Sequence, residues 1–261
     1  MNKENNPIGV FDSGLGGLST LRECLKIMPN ENYIYFGDSK NAPYGIKTVE
    51  EVRSLTLKNI ELLVKENAKA IVVACNTATS AAILDLRKEY KDIPVIGMEP
   101  ALKPAVNFKK NPKVLVLATD MTLKEEKFHN LMEEYKDRAE IIKRPLTGLV
   151  EFIERGDFLG EEIEAYLEKE LGEYKEKVDC AVLGCTHFPF AKDAISLVLG
   201  KEVKLFDGAE GTAKQLYNKL QEAGTLNLSG KRGSVRFYKS FKEQMEVIKR
   251  GKFLPEETNI L

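Results

Sequence analysis

Two stretches of the chain share one layout, AIVVACNTATSA at residues 70–81 and CAVLGCTHFPFA at residues 180–191. Each is an apolar run that ends in a cysteine, Cys75 or Cys185, and then continues into a segment that contains threonine. A short, almost wholly apolar run is typical of a parallel strand that is covered on both faces. We therefore predict two buried parallel strands, each with a thiol at its carboxyl end.

Further apolar runs of the same kind alternate with longer amphipathic segments, which predict helices over 18–28, 48–67, 79–90 and 160–177. Repeated alternation of strand and helix is typical of the α/β class with parallel sheets. The predicted strands are IGVFD (8–12), NYIYFGD (32–38), KAIVVAC (69–75), PVIGM (94–98), KVLVLAT (113–119), EIIKRP (140–145), CAVLGC (180–185), VKLFD (203–207) and SVRFYK (234–239).

The chain also contains two weak internal echoes. VACNT is similar to LGCTH, and GVFDSGLGGLS is similar to KLFDGAEGTAK. Matches this short also arise by chance, but together they are consistent with two similar α/β halves that enclose a cleft.

Composition narrows the function classes. The 261 residues include 39 Lys and Arg against 40 Asp and Glu, so no strong field favours nucleic acid or an anionic membrane. No stretch approaches the roughly 20 apolar residues that cross a bilayer, and the N-terminus lacks a long apolar core, so we expect a cytoplasmic protein. Four widely spaced cysteines in a chain of this length predict free thiols.

Polar residues collect where the predicted strands end. In open parallel sheets, reactive groups lie at the carboxyl ends of the strands, so these residues are expected at one edge of each sheet. They are Asp12-Ser13, Asp38-Ser39, Cys75-Asn76-Thr77, Glu99, Thr119-Asp120, Cys185-Thr186-His187 and Asp207.

The two thiols at strand ends suit acid/base chemistry. Each precedes residues that cap helices well, and a helix N-terminus stabilises a thiolate. His187 lies two residues after Cys185 and can exchange a proton with it, and Asp12 could assist Cys75 in the same way. Two facing thiols could remove a proton from one face of a carbon and return one to the other face, which is racemisation.

Three other interpretations of these residues stay open. Either cysteine could be a small apolar filler of a buried strand, which is our interpretation of Cys24 and Cys180. Cys75, Cys185, His187 and Asp12 could hold zinc, although the usual Cys-x-x-Cys spacing is missing.

The third is a dinucleotide loop, because Gly14, Gly16 and Ser19 in DSGLGGLS approach the G-x-G-x-x-G pattern, with Asp38 at a plausible ribose distance. Asp12 would repel a pyrophosphate there, so we interpret the glycines as a tight turn that lets Asp12 and Ser13 face a cleft.

Four stretches between residues 9 and 189 together resemble the glutamate racemase family, within the aspartate/glutamate racemase superfamily. They are GVFDSGLGGLS, YFGDSKNAPYG, VVACNTATSA and LGCTHFP. The resemblance implies a cofactor-independent enzyme that makes D-glutamate for peptidoglycan and is commonly a homodimer. It also implies two α/β domains related by a pseudo-twofold axis, with the site in the cleft between them.

The resemblance also assigns residues and boundaries. Cys75 and Cys185 resemble the two acid/base cysteines, Asp12 and His187 resemble their assisting groups, and Glu151 in GLVEFIERG resembles a further acidic residue that approaches the site. The implied domains cover 1–97 with 208–261, and 98–207. The residue pairs that resemble the substrate-binding positions are Asp12-Ser13, Tyr44-Gly45, Asn76-Thr77 and Thr186-His187.

Some positions depart from the family pattern, namely Asp120-Met121-Thr122, Gly208 and Arg144, and they leave substrate strictness, allosteric behaviour and the mode of dimerisation open. The leading hypothesis is two-base racemisation of glutamate. One alternative is racemisation of aspartate or another small amino acid. The other is a nucleotide-binding or regulatory protein with inert cysteines.

Overall fold

The described part of the computed structural model, residues 3–238, 254–255 and 258–259, contains two wholly parallel sheets. The α/β class with two parallel sheets is therefore confirmed. So are all nine predicted strands, except that Lys239, the last residue of the ninth, lies outside the described residues. The strands are β1 Ile8–Asp12, β2 Tyr33–Gly37, β3 Ala70–Val73, β4 Val95–Gly97, β5 Lys113–Ala118, β6 Glu140–Pro145, β7 Cys180–Leu183, β8 Lys204–Asp207 and β9 Val235–Phe237.

Helices connect the strands along the described chain, and the four predicted helices are all present. The third begins at Asn76, three residues before the prediction, and the fourth ends at Leu171 and continues as a short 3-10 turn. The helices are α1 Leu18–Ile27, α2 Val49–Lys65, α3 Asn76–Glu89, α4 Leu102–Val106, α5 Asp120–Lys124, α6 Glu126–Tyr135, α7 Leu149–Glu154, α8 Glu161–Leu171, α9 Lys192–Leu199 and α10 Ala209–Glu222.

The two sheets share one topology. The first has the order β4-β3-β1-β2-β9 and the second has the order β8-β7-β5-β6 when read in the matching direction. In this alignment β3 corresponds to β7, so the VACNT and LGCTH echo falls on equivalent strands. The other echo pairs β1 with β8, and these strands are not equivalent, so it reflects no structural repeat.

Both faces of each sheet are covered, which explains why the strands are apolar throughout. In β3, Ala70 and Val72 pack on the side of α1 and α10, whereas Ile71 and Val73 pack on the side of α2 and α3. Side chains alternate between the faces of a strand, so a strand that is buried on both sides has no polar positions along its length.

The chain passes between the sheets twice, after β4 and after β8, and the two connections touch. A Cβ atom on Gly208 would lie 2.5 Å from the carbonyl oxygen of Glu99 and from the sulfur of Met98. This crossing supports domain limits near residues 97 and 208, which stay a prediction.

None of the helices in the described part of the chain is both long enough and apolar enough to span a bilayer.

Candidate active site

Cys75 is the N-cap residue of α3. Its backbone is extended, with φ −68° and ψ 122°, and its sulfur accepts a hydrogen bond from the N–H of Ala78 at 3.4 Å. The thiol donates to Oγ of Ser13 at the same distance. The sulfur therefore occupies the position that a serine hydroxyl takes in an ordinary cap, at the positive end of a helix.

Burial, followed by the negative charge of Asp12, raises the pKa of the Cys75 thiol to about 12, although the hydrogen bonds with Ser13 and Ala78 lower it. The charge of Cys185 is a smaller cause in the same direction, so the two thiols lie close enough to interact electrostatically. In the closed cleft, Cys75 is held as a protonated thiol beside a carboxylate.

Asp12 is fully buried at the end of β1 and connects the two halves of the site. Its Oδ2 accepts from the N–H of Gly14 at 2.9 Å, and its Oδ1 accepts from the hydroxyl of Thr186 at 3.0 Å. Burial raises the pKa of the Asp12 carboxyl, while the charge of His187 and these hydrogen bonds lower it by less.

Cys185 has a separate acid/base partner. Its sulfur lies 3.8 Å from Nδ1 of His187, whose Nε2 lies 2.6 Å from Oε1 of Glu154. Burial alone would lower the pKa of His187, but the hydrogen bonds and charges of Cys185 and Glu154 raise it well above its ordinary value. The imidazolium form then donates Nε2–H to Glu154 and directs Nδ1–H at the sulfur.

The sequence prediction named Glu151 as the acidic residue that approaches the site. In the structure, Glu154 reaches the site instead. Glu151 is exposed on α7, whereas the side chain of Glu154 is 16% exposed. The buried residues Leu149, Val150 and Ile153 define the inner face of α7. At 100° per residue, Glu151 points about 150° away from that face and Glu154 only about 90°, so the apolar phase of the helix could have distinguished them.

The glycine-rich loop fits against the second sheet's residues and not against a nucleotide. The N–H groups of Gly14 and Leu15 are bonded to Asp12 and Glu154, and that of Gly16 faces the ring of His187. A Cβ atom on Gly14 would collide with Glu154, and one on Gly16 would collide with His187 and lie 2.6 Å from Oγ1 of Thr186. Since the N–H groups of Gly14 and Leu15 are occupied and the ring of His187 covers that of Gly16, the structure disfavours the dinucleotide interpretation.

Three buried threonines form a cluster that the sequence analysis did not assemble. Oγ1 of Thr119 lies 3.0 Å from Oγ1 of Thr77 and from Oγ1 of Thr122, and Thr77 and Thr122 are 3.5 Å apart. A Cβ on Gly45 would lie 2.7 Å from Cβ of Thr119, so the Tyr44-Gly45 turn packs on this cluster. Thr119 follows β5 directly, and its position at that strand end was the available signal.

Tyr44 is placed by its hydroxyl, which donates to Oδ2 of Asp38 at 2.7 Å, and Asn59 donates to the same oxygen at 3.0 Å. Burial, followed by the charge of Asp38, raises the pKa of Tyr44. The phenol is therefore an anchor, and the backbone of Tyr44 and Gly45 is what faces the threonine cluster.

Asn76 contributes a buried amide oxygen, Oδ1, that has no hydrogen-bond partner within the protein. The space that Asn76 lines beside Cys185 and Thr186 is too narrow for a water molecule. An unpaired buried acceptor is costly, so this oxygen indicates a place for a ligand donor. Among the described residues, no three His, Cys, Asp or Glu side chains are grouped to hold a metal ion.

Residues 8–216 match the family model described as Asp/Glu/Hydantoin racemase. The chain belongs to this family. Within the Asp/Glu/hydantoin racemase family, the glutamate racemase of Clostridium novyi (strain NT) is 54% identical over 249 residues, covering 95% of this chain and 96% of that protein. The glutamate racemase of Clostridium kluyveri (strain NBRC 12016) is 50% identical over 258 residues, covering 98% of this chain and 100% of that protein.

Solved structures of glutamate racemases match this chain over nearly all of its length. The glutamate racemase of Francisella tularensis, in complex with D-glutamate, has a TM-score of 0.81 at 30% identity and covers 99% of this chain and 97% of that one. The Escherichia coli glutamate racemase, in complex with L-glutamate and an activator, UDP-MurNAc-Ala, has a TM-score of 0.81 at 28% identity, with 98% of each chain covered. This chain is accordingly an amino-acid racemase, an isomerase.

Proposed function

We propose that the protein interconverts L-glutamate and D-glutamate, without a cofactor, by two-base transfer of the α-proton. The curated relatives of this chain that share half of its residues are glutamate racemases, and two of the superposed structures hold glutamate. The observation that carries the mechanism is that two buried thiols follow equivalent strands of the two sheets and have different acid/base partners.

In each direction one cysteine acts as a thiolate and removes the α-proton, and the other acts as a thiol and donates its proton to the opposite face. Cys75 has the carboxylate of Asp12 beside it, and Cys185 has His187 backed by Glu154. The electron pair left by the first proton is stored on the substrate's α-carboxylate until the second proton arrives. The cysteines exchange roles when the other enantiomer is bound.

The carbanionic transition state needs preorganised donors, because the α-proton of an amino acid is a very weak acid. Free N–H groups at the start of α3 and the hydroxyls around it can supply these donors. The unpaired oxygen of Asn76 suits the substrate's ammonium group. The proposed substrate-binding residues are Asp12, Ser13, Tyr44, Gly45, Asn76, Thr77, Thr186 and His187, to which the geometry adds Thr119 and Thr122.

The closed arrangement must open for each turnover. Cys75 and Cys185 are 5% and 8% exposed, and the space beside Cys185 admits no water. The two contacting connections at Glu99 and Gly208 provide the place where the domains, proposed as 1–97 with 208–261 and 98–207, rotate against each other.

The proposed setting follows from the product. We propose that the D-glutamate is used in peptidoglycan synthesis and that the enzyme acts in the cytoplasm. The family resemblance separately leads us to expect a homodimer. Size-exclusion chromatography with light scattering measures the dimer directly, and a mass of one chain, 29.3 kDa, would contradict it.

The mechanism is tested in heavy water. The product's α-carbon gains deuterium while the remaining substrate keeps its hydrogen, and Cys75→Ser and Cys185→Ser each lower racemisation by about 10²- to 10⁴-fold. Cys180→Ala, which alters the thiol at the opposite end of β7, is the control and keeps near-normal turnover. If either site variant turned over like wild type, the two-base scheme would be wrong. Faster turnover of aspartate than of glutamate would show that aspartate is the preferred substrate.

A further inference from the structure

Glu154 receives hydrogen bonds from both halves of the molecule. Its Oε1 is 2.6 Å from Nε2 of His187 and accepts from the N–H of Leu15, also at 2.6 Å. Its Oε2 accepts from the hydroxyl of Ser39 at 3.2 Å. His187 and Glu154 follow strands of the second sheet, whereas Leu15 and Ser39 follow strands of the first, so the carboxylate spans the cleft.

Ser39 is held on a rigid turn. It begins the 3-10 turn Ser39–Asn41, directly after Asp38. The carboxylate of Asp38 accepts hydrogen bonds from Asn41, Tyr44 and Asn59. The backbone N–H of Asp38 donates to the carbonyl of Asp12, the residue that ends β1. The network therefore holds the turn that carries Ser39, and it also fixes the side chain of Tyr44.

We propose that Ser39 is a positioning residue for the reaction at Cys185. Its hydroxyl holds Oε2 of Glu154, which keeps Oε1 directed at His187 only while the cleft is closed. This inference rests on the two-base function proposed above. Without the Ser39 hydroxyl, only the N–H of Leu15 holds the carboxylate from the first half. The carboxylate group can then rotate more freely about its last torsion, which is a soft one, and its contact with His187 is less well oriented.

Two pairs of variants test the proposal. Ser39→Ala removes the hydroxyl, and Ser39→Thr retains it. Ser39→Val has the shape of threonine without the hydroxyl. If Ser39→Ala fails to fold, the comparison of Ser39→Thr with Ser39→Val still shows whether the hydroxyl is needed. Ser196→Ala, which removes a half-buried hydroxyl from α9, is the matched control.

The readout is the primary isotope effect on kcat/KM, measured with α-deuterated L-glutamate and with α-deuterated D-glutamate. The two enantiomers have the same free energy, so the equilibrium constant is one and kcat/KM must fall by the same factor in both directions. We expect this fall to be about tenfold for Ser39→Ala and Ser39→Val. The isotope effect rises for the enantiomer that Cys185 deprotonates and decreases for the other, because the step at Cys185 becomes limiting. Ser39→Thr and Ser196→Ala stay near wild type.

A wild-type ratio of the two isotope effects in Ser39→Ala, or equal rates in Ser39→Thr and Ser39→Val, would overturn the role of Ser39. A purely structural defect lowers the activity but leaves the ratio of the two isotope effects as it is in wild type. Failure of the underlying function is distinguishable, because wild type itself would then not exchange the α-proton of glutamate in heavy water.

Discussion

The hydroxyl of Thr186 donates a 3.0 Å hydrogen bond to Oδ1 of Asp12, which is 174 residues away along the chain. Asp12 ends β1 in the first sheet, and Thr186 follows β7 in the second. The bond therefore joins the carboxylate beside Cys75 to the segment that carries Cys185, and it ties the two acid/base groups into one connected site.

The hydrogen bond and charge of Glu154 act together with the contact from Cys185 to raise the pKa of His187. Glu154→Gln keeps the shape but removes the charge that raises the pKa of His187, so that pKa falls. In wild type the imidazolium is lost only as pH rises through the raised value, and in the variant this loss moves to lower pH. We expect the alkaline limb of the pH profile of kcat/KM to shift to lower pH, and kcat/KM itself to fall by about 10- to 100-fold.

The imidazole pKa is read directly by NMR of labelled histidine, with His129 as an internal reference. Glu151→Gln is the matched control, because that side chain is exposed on the same helix, and it keeps activity within about twofold. An unchanged His187 titration in Glu154→Gln would show that the contact with Cys185 alone sets the pKa.

At neutral pH, the buried carboxyl of Asp12 lowers the free energy of unfolding. Burial raises its pKa above the value of 3.8 that the unfolded chain has, so the folded state binds more protons between the two values. Stability therefore decreases as pH rises through that window, and the full cost is present above the folded pKa. We expect Asp12→Asn to raise Tm at pH 7, by about 2–4 °C for each kcal/mol recovered, and to lower turnover at least about 100-fold.

The gain in Tm disappears below about pH 4, where Asp12 is protonated in both the folded and unfolded states. Calorimetry of the wild type and the variant from pH 3 to pH 8 measures this. A lower Tm for Asp12→Asn at pH 7 would mean that the bonds from Gly14 and Thr186 and the charge of His187 outweigh the cost of burial.

The four cysteines differ in reactivity. Burial raises the pKa values of Cys24 and Cys75 to about 12 and that of Cys180 to about 11. A thiol with a pKa of 12 is ionised in about one molecule in 10⁵ at pH 7, so alkylation there is very slow. Limited alkylation of the native protein, followed by peptide mass spectrometry, is expected to modify Cys185 first, because Nδ1 of His187 lies 3.8 Å from its sulfur and can stabilise the thiolate.

Glutamate should protect Cys185 by holding the cleft closed, whereas a non-binding amino acid should give no protection. Modification of Cys24 or Cys180 at the rate of Cys185 would indicate global opening of the fold. Labelling of Cys75 ahead of Cys185 would contradict the assignment of Cys75 as the protonated thiol.

Gly16 sets how closely the halves approach. A Cβ there would collide with His187 and come within 2.6 Å of Oγ1 of Thr186, so Gly16→Ala forces the cleft apart. We expect kcat/KM to fall at least about 100-fold, as a misplacement near 1 Å produces, while the protein still folds. Steady-state kinetics with circular dichroism as the folding check measures the effect.

Gly211→Ala is the matched control for this substitution. Gly211 lies inside α10, and an added Cβ would meet no atom within 4 Å. This variant should keep full activity and gain about 0.5–1 kcal/mol in the free energy of unfolding, because glycine lowers helix stability. Equal activity losses in both variants would point to a general sensitivity of the fold.

The sequence by itself determined the strands and their chemistry. Apolar runs such as 70–75 and 180–185 predict buried parallel strands because a strand that is covered on both faces has no place for polar side chains. The chain direction then places the last residue of each run, Cys75 or Cys185, at the carboxyl edge of its sheet, so the two thiols could be recognised without coordinates.

Only the tertiary structure decided which distant groups serve those thiols. Glu154 and Glu151 lie on one helical turn, and the packing of α7 on its sheet brings the first to His187 and leaves the second in solvent. The glycines of DSGLGGLS matter because His187 and Glu154 approach them from the other half. The apolar phase of α7 separates the two glutamates, but the groups that Glu154 meets depend on how two separately formed sheets pack, and local sequence patterns do not encode that packing.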